Sequence, residues 1–254
     1  MTTRKDIEPT KGGWRRLSYT CRCGWVDWGH ALPGGPLGLR GQIDSEVADS
    51  SDLNQLNVTL NGAPAFIVRY GQSMGSAVRV SNMRQWAVRR GLTTADRRSV
   101  ALAIYLSASF EFERMQGRWP FSMASGGSSF SAEDLISNLV GFYGAFDGIE
   151  AARLRQVCGE VTVPASYRLW DKYSPGGLGA HRNEGLTPIR FPCSECDGTQ
   201  SDTSFPSRFS SIQPAPPGVL WARVKGQYID LFITSARRTI DVSSSGELSA
   251  RRVH

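Results

Sequence analysis

Four stretches of the chain carry residue types that could do acid–base, nucleophilic or metal chemistry. The first is Tyr19–His30, YTCRCGWVDWGH, which holds two cysteines, two tryptophans, Asp27 and His30. An aspartate three residues from a histidine can orient the imidazole as a base or as a metal ligand, although a lone histidine is more often structural. A Cys21–His30 nucleophilic pair is the weaker reading, because Cys23 invites a disulfide. The second stretch is ASFEFERMQG, with Glu111 on the same helical face as Ile104, Ala108 and Met115. A carboxylate on such a face needs a cation, a metal or a proton, and without the first two its pKa rises, which is the profile of a general acid. The competing reading is a buried glutamate tied to an arginine such as Arg114 or Arg118. Glu113, two residues on, reads as solvated.

The third stretch, SFSAEDLISNLVGF, contains Ser131, Glu133, Asp134 and Asn138. A capping box explains Ser131 and Asp134 without function. It leaves Glu133 free to face a cleft, and it explains Asn138 poorly among Leu135, Ile136, Leu139 and Val140. The fourth feature is the set of five cysteines: Cys21-x-Cys23, Cys158 and Cys193-x-x-Cys196. Cys21, Cys23, Cys193 and Cys196 could form a structural four-thiolate zinc site, or disulfides outside the cytoplasm. The tight C-x-C spacing makes zinc the less favoured choice.

These groups need elements to position them. Trp14–Tyr19 reads as a strand, and ALPGGPLG as a turn or loop, with a short helix at Leu39–Val47. Asn57–Leu60 and Ala65–Tyr70 read as a hairpin through NGAP, and Ser81–Arg90 as a short helix closed by Gly91. Thr93 or Thr94 caps the strongest helix, which runs to about Gln116 and is apolar all round. After the glycine- and serine-rich crossing RWPFSMASGGSSF, helices are expected at about Ala132–Phe142, Ile149–Cys158 and Ala165–Lys172. Gly218–Val224 and Tyr228–Thr234 suggest a final hairpin, followed by a weakly held end. The expected fold class is α+β: a mainly helical core around a central buried helix, with small β-hairpins and long Gly/Pro/Ser-rich loops. Residues 1–12 would be a flexible arm, 13–160 the core domain with the site, and 161–254 a loop-rich extension packed on that domain.

The 254 residues, 40% of them apolar, suffice for a sizeable core, and no run approaches the ~18 apolar residues of a membrane span. The opening MTTRKDIEPTKGG has no apolar stretch of a signal peptide, so export would use a trimmed leader or a route that reads none. A net charge of +6 favours anionic partners. The arginines occur in scattered pairs rather than in an aromatic-interleaved stripe, which argues against nucleic acid.

Together, YTCRCGWVDWGH, ASFEFERMQG and SFSAEDLISNLVGF resemble, in order and separation, a group of bacterial envelope proteins of uncharacterised function. The matching positions are Tyr19, Thr20, Cys21, Gly24, Asp27 and His30; Glu111 and Gly117; and Ser131, Glu133, Asp134, Leu135, Ser137, Asn138, Leu139 and Gly141. Phe110 stands where that pattern has histidine, and Cys23 is an extra thiol. The resemblance covers about residues 14–146 and implies a shared site in an exported protein rather than a known reaction.

A glutamate near the end of a central helix, followed by a glycine- and serine-rich crossing and another helix, is also similar in outline to lysozyme-like enzymes. The expectation is a hydrolase of an anionic cell-wall polymer, with peptidoglycan glycan strands the leading substrate, acting as an exported antibacterial effector. Glu111 would donate the proton, Glu133 or Asp134 would place water or stabilise the cation, and His30, oriented by Asp27, would complete the site. Asn138, Ser131 and Trp28 would bind substrate. No cofactor is favoured. The alternatives are a metal-dependent hydrolase, with zinc possible, using His30, Glu111 and one of Glu133 or Asp134 as ligands, and a non-catalytic envelope or secretion-associated binding protein. An effector would also meet an immunity or secretion partner.

Overall fold

Thr93 starts the longest helix as the sequence predicts: its hydroxyl accepts from the Asp96 amide at 3.1 Å and donates to the Asp96 carboxylate at 2.7 Å. The computed structural model of the chain describes residues 2–32, 34–48, 53, 57–74, 80–117, 130–197, 204–226 and 238–252. The fold class is α+β. The chain divides into two compact units, unit 1 being Met1–Gly34 with Glu113–Ser211, and unit 2 being Gly35–Phe112 with Ile212–His254. Neither is one continuous stretch, so the expected division into arm, core and extension is replaced by two interleaved units.

In unit 1, strands β1 (Leu17–Thr20) and β2 (Gly24–Asp27) form an antiparallel hairpin. All eight of their residues are buried. The aromatic core runs Tyr19–Trp25–Trp170, with edge-on ring pairs at 5.4 and 5.7 Å. Within the expected arm, Arg4–Ile7 forms a 3-10 turn whose Ile7 is fully buried in this core, and Arg4 grips Asp171 with two hydrogen bonds.

Of the remaining helices in chain order, α1 (Gly34–Ser45) and α2 (Thr94–Gln116) lie wholly or mostly in unit 2, whereas α3 (Asp134–Asp147), α4 (Ala151–Cys158) and α5 (Val163–Tyr173) belong to unit 1. Gly148 and Gly159 close α3 and α4 in the left-handed conformation that glycine adopts without steric cost. Thr162 caps α5 by accepting from the Ala165 amide. The expectation that ALPGGPLG excludes a helix is wrong, because α1 begins at Gly34. Pro36 falls in its first turn, where an amide hydrogen has no helical partner to lose.

Unit 2 is built on a sheet larger than the expected small hairpins. Strands β3 (Asn57–Leu60), β4 (Ala63–Tyr70), β7 (Arg84–Arg89), β8 (Trp221–Arg223), β9 (Arg238–Val242) and β10 (Leu248–Arg252) take the order β10-β9-β3-β4-β7-β8. Its pairings are antiparallel except β3–β9. A separate short pair joins β5 (Ser73–Met74) to β6 (Val80–Ser81). The β3–β4 turn is Asn61-Gly62, both at positive φ, which matches the twist of a tight hairpin.

Ser81–Arg90 is not a helix. Trp86, Ala87 and Val88 are all buried in β7 between β4 and β8. A short apolar run has no periodicity to separate a buried strand from a helix, and pairing decides it. The chain end is also better held than expected, since β9 and β10 form a five-residue antiparallel ladder. The crossing at 118–129 and the strand expected at Tyr228–Thr234 lie outside the described residues.

Candidate functional site

The chemically distinctive place in unit 1 is a buried carboxyl cluster carried by β2, the end of α2 and the start of α3. Asp27 is fully buried, and Glu113, Glu133 and Asp134 are nearly so, at 1%, 2% and 7% exposure. The Asp27 amide donates to Ser137 Oγ at 2.9 Å, and that hydroxyl donates to the Glu133 carbonyl at 2.5 Å, which ties β2 to α3. Gly141, two turns along α3 from Asp134, allows a close approach: a Cβ there would lie 2.9 Å from Ala31 Cα. The segment after His30 therefore rests directly on α3.

Asp27 has its own cation. Arg16 reaches it through Nη2 at 3.1 Å and Nε at 3.3 Å, and the Gly29 amide donates to it at 2.8 Å. The other three carboxyls are differently placed. Glu113 Oε2 accepts from the Phe130 amide at 2.8 Å, and its side chain is hydrogen-bonded to that of Asp134. Asp134 Oδ2 accepts from the Ser131 amide at 2.9 Å. Glu133 Oε1 accepts from the Thr2 hydroxyl, and Oε2 is buried without a hydrogen-bond partner among the described residues.

Burial penalises charge on all three carboxyls. The Glu133 pKa is pushed up to about 7, chiefly by burial, against the lowering effect of the Thr2 hydrogen bond. Burial also raises Asp134 well above the ordinary carboxylate range, reinforced by Glu133 and Glu113. Glu113 is raised by burial and partly relieved by the Phe130 amide and by Asp134. The three buried acids therefore hold their protons more tightly than isolated carboxylates do. His30, with its side chain 39% exposed, places Nδ1 3.6 Å from Asp134 Oδ1.

Four expected site residues, His30, Asp27, Glu133 and Asp134, thus fall in one unit, but two of the expected pairings change. The imidazole of His30 meets Asp134, while the Asp27 carboxylate is taken by Arg16. Glu111 belongs to unit 2, where Arg223 holds it at 2.6 Å and Arg84 at 3.4 Å. This is the arginine-paired state rather than that of a lone proton donor; among the described residues the arginines are Arg223 and Arg84 and not the Arg114 suggested by spacing, while Arg118 lies outside the described residues. The helix-borne carboxyl of the cluster is Glu113, which sequence reasoning assigned to solvent. A helix apolar on every side offers no stripe to distinguish positions 111 and 113.

Trp28 is 4% exposed; its indole donates to Ser18 Oγ at 2.7 Å and its ring lies under Arg155, so it serves packing rather than substrate binding. Ser131 and Asn138 are both 4% exposed, and the Ser131 backbone meets the cluster twice: its amide donates to Asp134 Oδ2 at 2.9 Å and its carbonyl accepts from the Asp134 amide at 3.2 Å. Thr2 and Arg16 had no sequence signal, because their partners lie 131 and 11 residues away.

The four-thiolate arrangement does not form. Cys21 is joined to Cys196 in a disulfide, while Cys23, Cys158 and Cys193 are buried thiols. The Cys158 thiol is hydrogen-bonded to Cys23, which together with burial raises its pKa well above the ordinary value. The zinc set His30, Glu111 and Glu133 is split between units, and among the described residues no group of three or more His, Cys, Asp or Glu is disposed to hold a metal ion. Among those residues, no helix is long and apolar enough to cross a membrane.

No family model, curated protein or solved structure matches the chain.

Proposed function

We propose that unit 1 carries the catalytic site of an exported hydrolase that cuts an anionic bacterial cell-wall polymer, with the glycan strands of peptidoglycan as the leading substrate and antibacterial action as its use. The observation that carries this reading is Glu133, 2% exposed with Oε2 unpartnered among the described residues, in surroundings whose burial pushes its pKa up to about 7. An acid with a pKa near the working pH can both keep its proton and give it up. Glu133 is the proton donor in this reading. Asp134 lies against the part-exposed His30 and helps place the attacking water, and the neutral imidazole of His30, its pKa lowered by burial, takes the water's proton. The polymer class is supported by the basic net charge and by the resemblance of the three motifs to envelope proteins.

The Thr2 hydroxyl bound to Glu133 favours a second reading, a non-catalytic envelope-binding protein whose acid cluster is structural. Digestion of purified peptidoglycan, with released fragments identified by mass, separates the two. The expected result is soluble fragments from the unaltered protein and a loss of about 10²–10⁴-fold in Glu133→Gln, the usual contribution of a general acid. Wild-type release by both Glu133→Gln and Asp134→Asn would end the catalytic reading. Cosedimentation with the polymer without fragments would leave the binding one.

A further inference from the structure

The turn between β1 and β2 is held against the end of α4 by backbone contacts that do not involve any cysteine side chain. The Tyr19 carbonyl accepts from the Val161 amide at 3.1 Å, the Cys21 amide donates to the Gly159 carbonyl at 2.8 Å, and the Arg22 amide donates to the Cys158 carbonyl at 3.0 Å. Thr20 and Glu160 pair as an isolated antiparallel bridge. Within the turn, the Thr20 hydroxyl donates to the Gly24 carbonyl at 2.8 Å and accepts from the Cys23 amide at 3.1 Å. A Cβ on Gly159 would stand 3.4 Å from the Cys21 Cβ, so the two segments touch closely. The backbone thus fixes Cys23 and Cys158 beside each other before their sulfurs interact.

Those sulfurs are in hydrogen-bond contact, and the two residues are 1% and 0% exposed. Two cysteines that merely filled core space would account for the burial but not for the meeting of thiols. A thiol is a weak donor and a weak acceptor, so the pair gains little from the contact as it stands. Sulfurs already this close, on backbones already fixed, need only side-chain rotation to bond. Two residues from Cys23, Cys21 holds the disulfide to Cys196, so the same turn already carries one such link.

We propose that Cys23 and Cys158 form a second disulfide, which fastens the β1–β2 turn to α4 as Cys21 fastens it to Cys196. It closes a loop of about 135 residues and anchors the start of β2, the strand that carries Asp27. The oxidant is a small-molecule or protein disulfide. One cysteine, as thiolate, attacks a sulfur of that disulfide and expels one thiolate. The second cysteine, as thiolate, attacks the mixed disulfide, forms the Cys23–Cys158 bond and expels the other thiolate. Both cysteine sulfurs are oxidised, and the oxidant leaves as two thiols that carry away the two protons. Burial disfavours the Cys158 thiolate, so the bond forms while the chain folds, before the pair is enclosed.

Refolding of the reduced full chain in mixed reduced and oxidised glutathione, then alkylation in denaturant and peptide mapping without reduction, tests the pairing. The expected product carries Cys21–Cys196 and Cys23–Cys158, with Cys193 as the single alkylated cysteine. Cys158→Ala should expose Cys23 to alkylation, and Cys193→Ala should leave both bonds in place. The same mapping on natively purified chain incubated with oxidised glutathione gives a reading that does not depend on refolding. Alkylation of both Cys23 and Cys158 in the folded product, or stable pairing of either with any other thiol, overturns the proposal. The readout is covalent, so either result leaves the peptidoglycan assay to stand or fall separately.

Discussion

Glu111 and Glu113 stand two residues apart on α2, yet one meets arginines in unit 2 and the other meets carboxyls in unit 1. Glu111 is held by Arg223 and Arg84. Glu113, 1% exposed, has the Phe130 amide and the Asp134 carboxyl as partners, and its pKa is raised. Two residues turn a helix by about 200°, so neighbouring glutamates face opposite surroundings. The neighbours differ accordingly: guanidinium groups supply Glu111 with a counter-charge, whereas burial among other acids raises the Glu113 pKa.

The largest test of the contrast is covalent. The Cys21–Cys196 disulfide lies in unit 1 and spans 175 residues of sequence. Constraint of so long a loop in the unfolded chain is worth about 5 kcal/mol. Cys21→Ser with Cys196→Ser is expected to lower the melting temperature strongly and to open amide exchange first in β1, β2 and α5. Equal loss of protection in β4 and β7 of unit 2 would break the distinction.

The next effect is pH dependence. A carboxyl whose folded pKa is raised binds its proton more tightly in the folded state, so its contribution is most favourable below the unfolded value and declines as pH rises to the folded one. For Glu133 that window runs from its ordinary 4.5 to about 7. The loss across it is on the order of 3 kcal/mol, with Asp134 and Glu113 adding in the same direction. Denaturant titrations at several pH values should show it, and Glu133→Gln should flatten the slope. A stability that rises between those pH values in the unaltered protein would contradict the buried acid cluster.

The smallest effect compares the two glutamates directly. Glu111→Gln should cost about 1 kcal/mol at neutral pH, because it leaves the half-buried Arg84 and the exposed Arg223 without their carboxylate. Glu113→Gln keeps an acceptor for the Phe130 amide and removes a charge that burial penalises, so it should cost less than Glu111→Gln. Chemical denaturation of the pair measures the difference, and equal costs would erase it.

Much of the local structure was legible. Thr93 with Asp96, the β3–β4 hairpin and α3 to α5 follow from caps, turns and periodicity, which depend on residues a few positions apart. Glu133, left free by the capping box, and the Asp27–His30 pair stood out as local polar patterns for the same reason, whereas the capping box accounted for Asp134 without function and a lone histidine is more often structural. What failed required distant partners. β7 reads as a helix until β4 and β8 flank it, and β9 joins β3 in parallel across about 180 residues. Arg16 could not be matched to Asp27, nor Thr2 to Glu133, from spacing.

The sequence by itself therefore determined the inventory: which side chains can ionise, which segments can be helix or hairpin, and that the motif around Asp27 and His30 is chemically unusual. Tertiary structure decided the pairings. It joined Cys21 to Cys196 rather than gathering four thiols, gave Asp27 to Arg16 and His30 to Asp134, and exchanged Glu111 for Glu113 in the acid cluster. The physical reason is that a side chain's charge, hydrogen bond or covalent partner is fixed by proximity in space, whereas local sequence specifies only what it is able to accept.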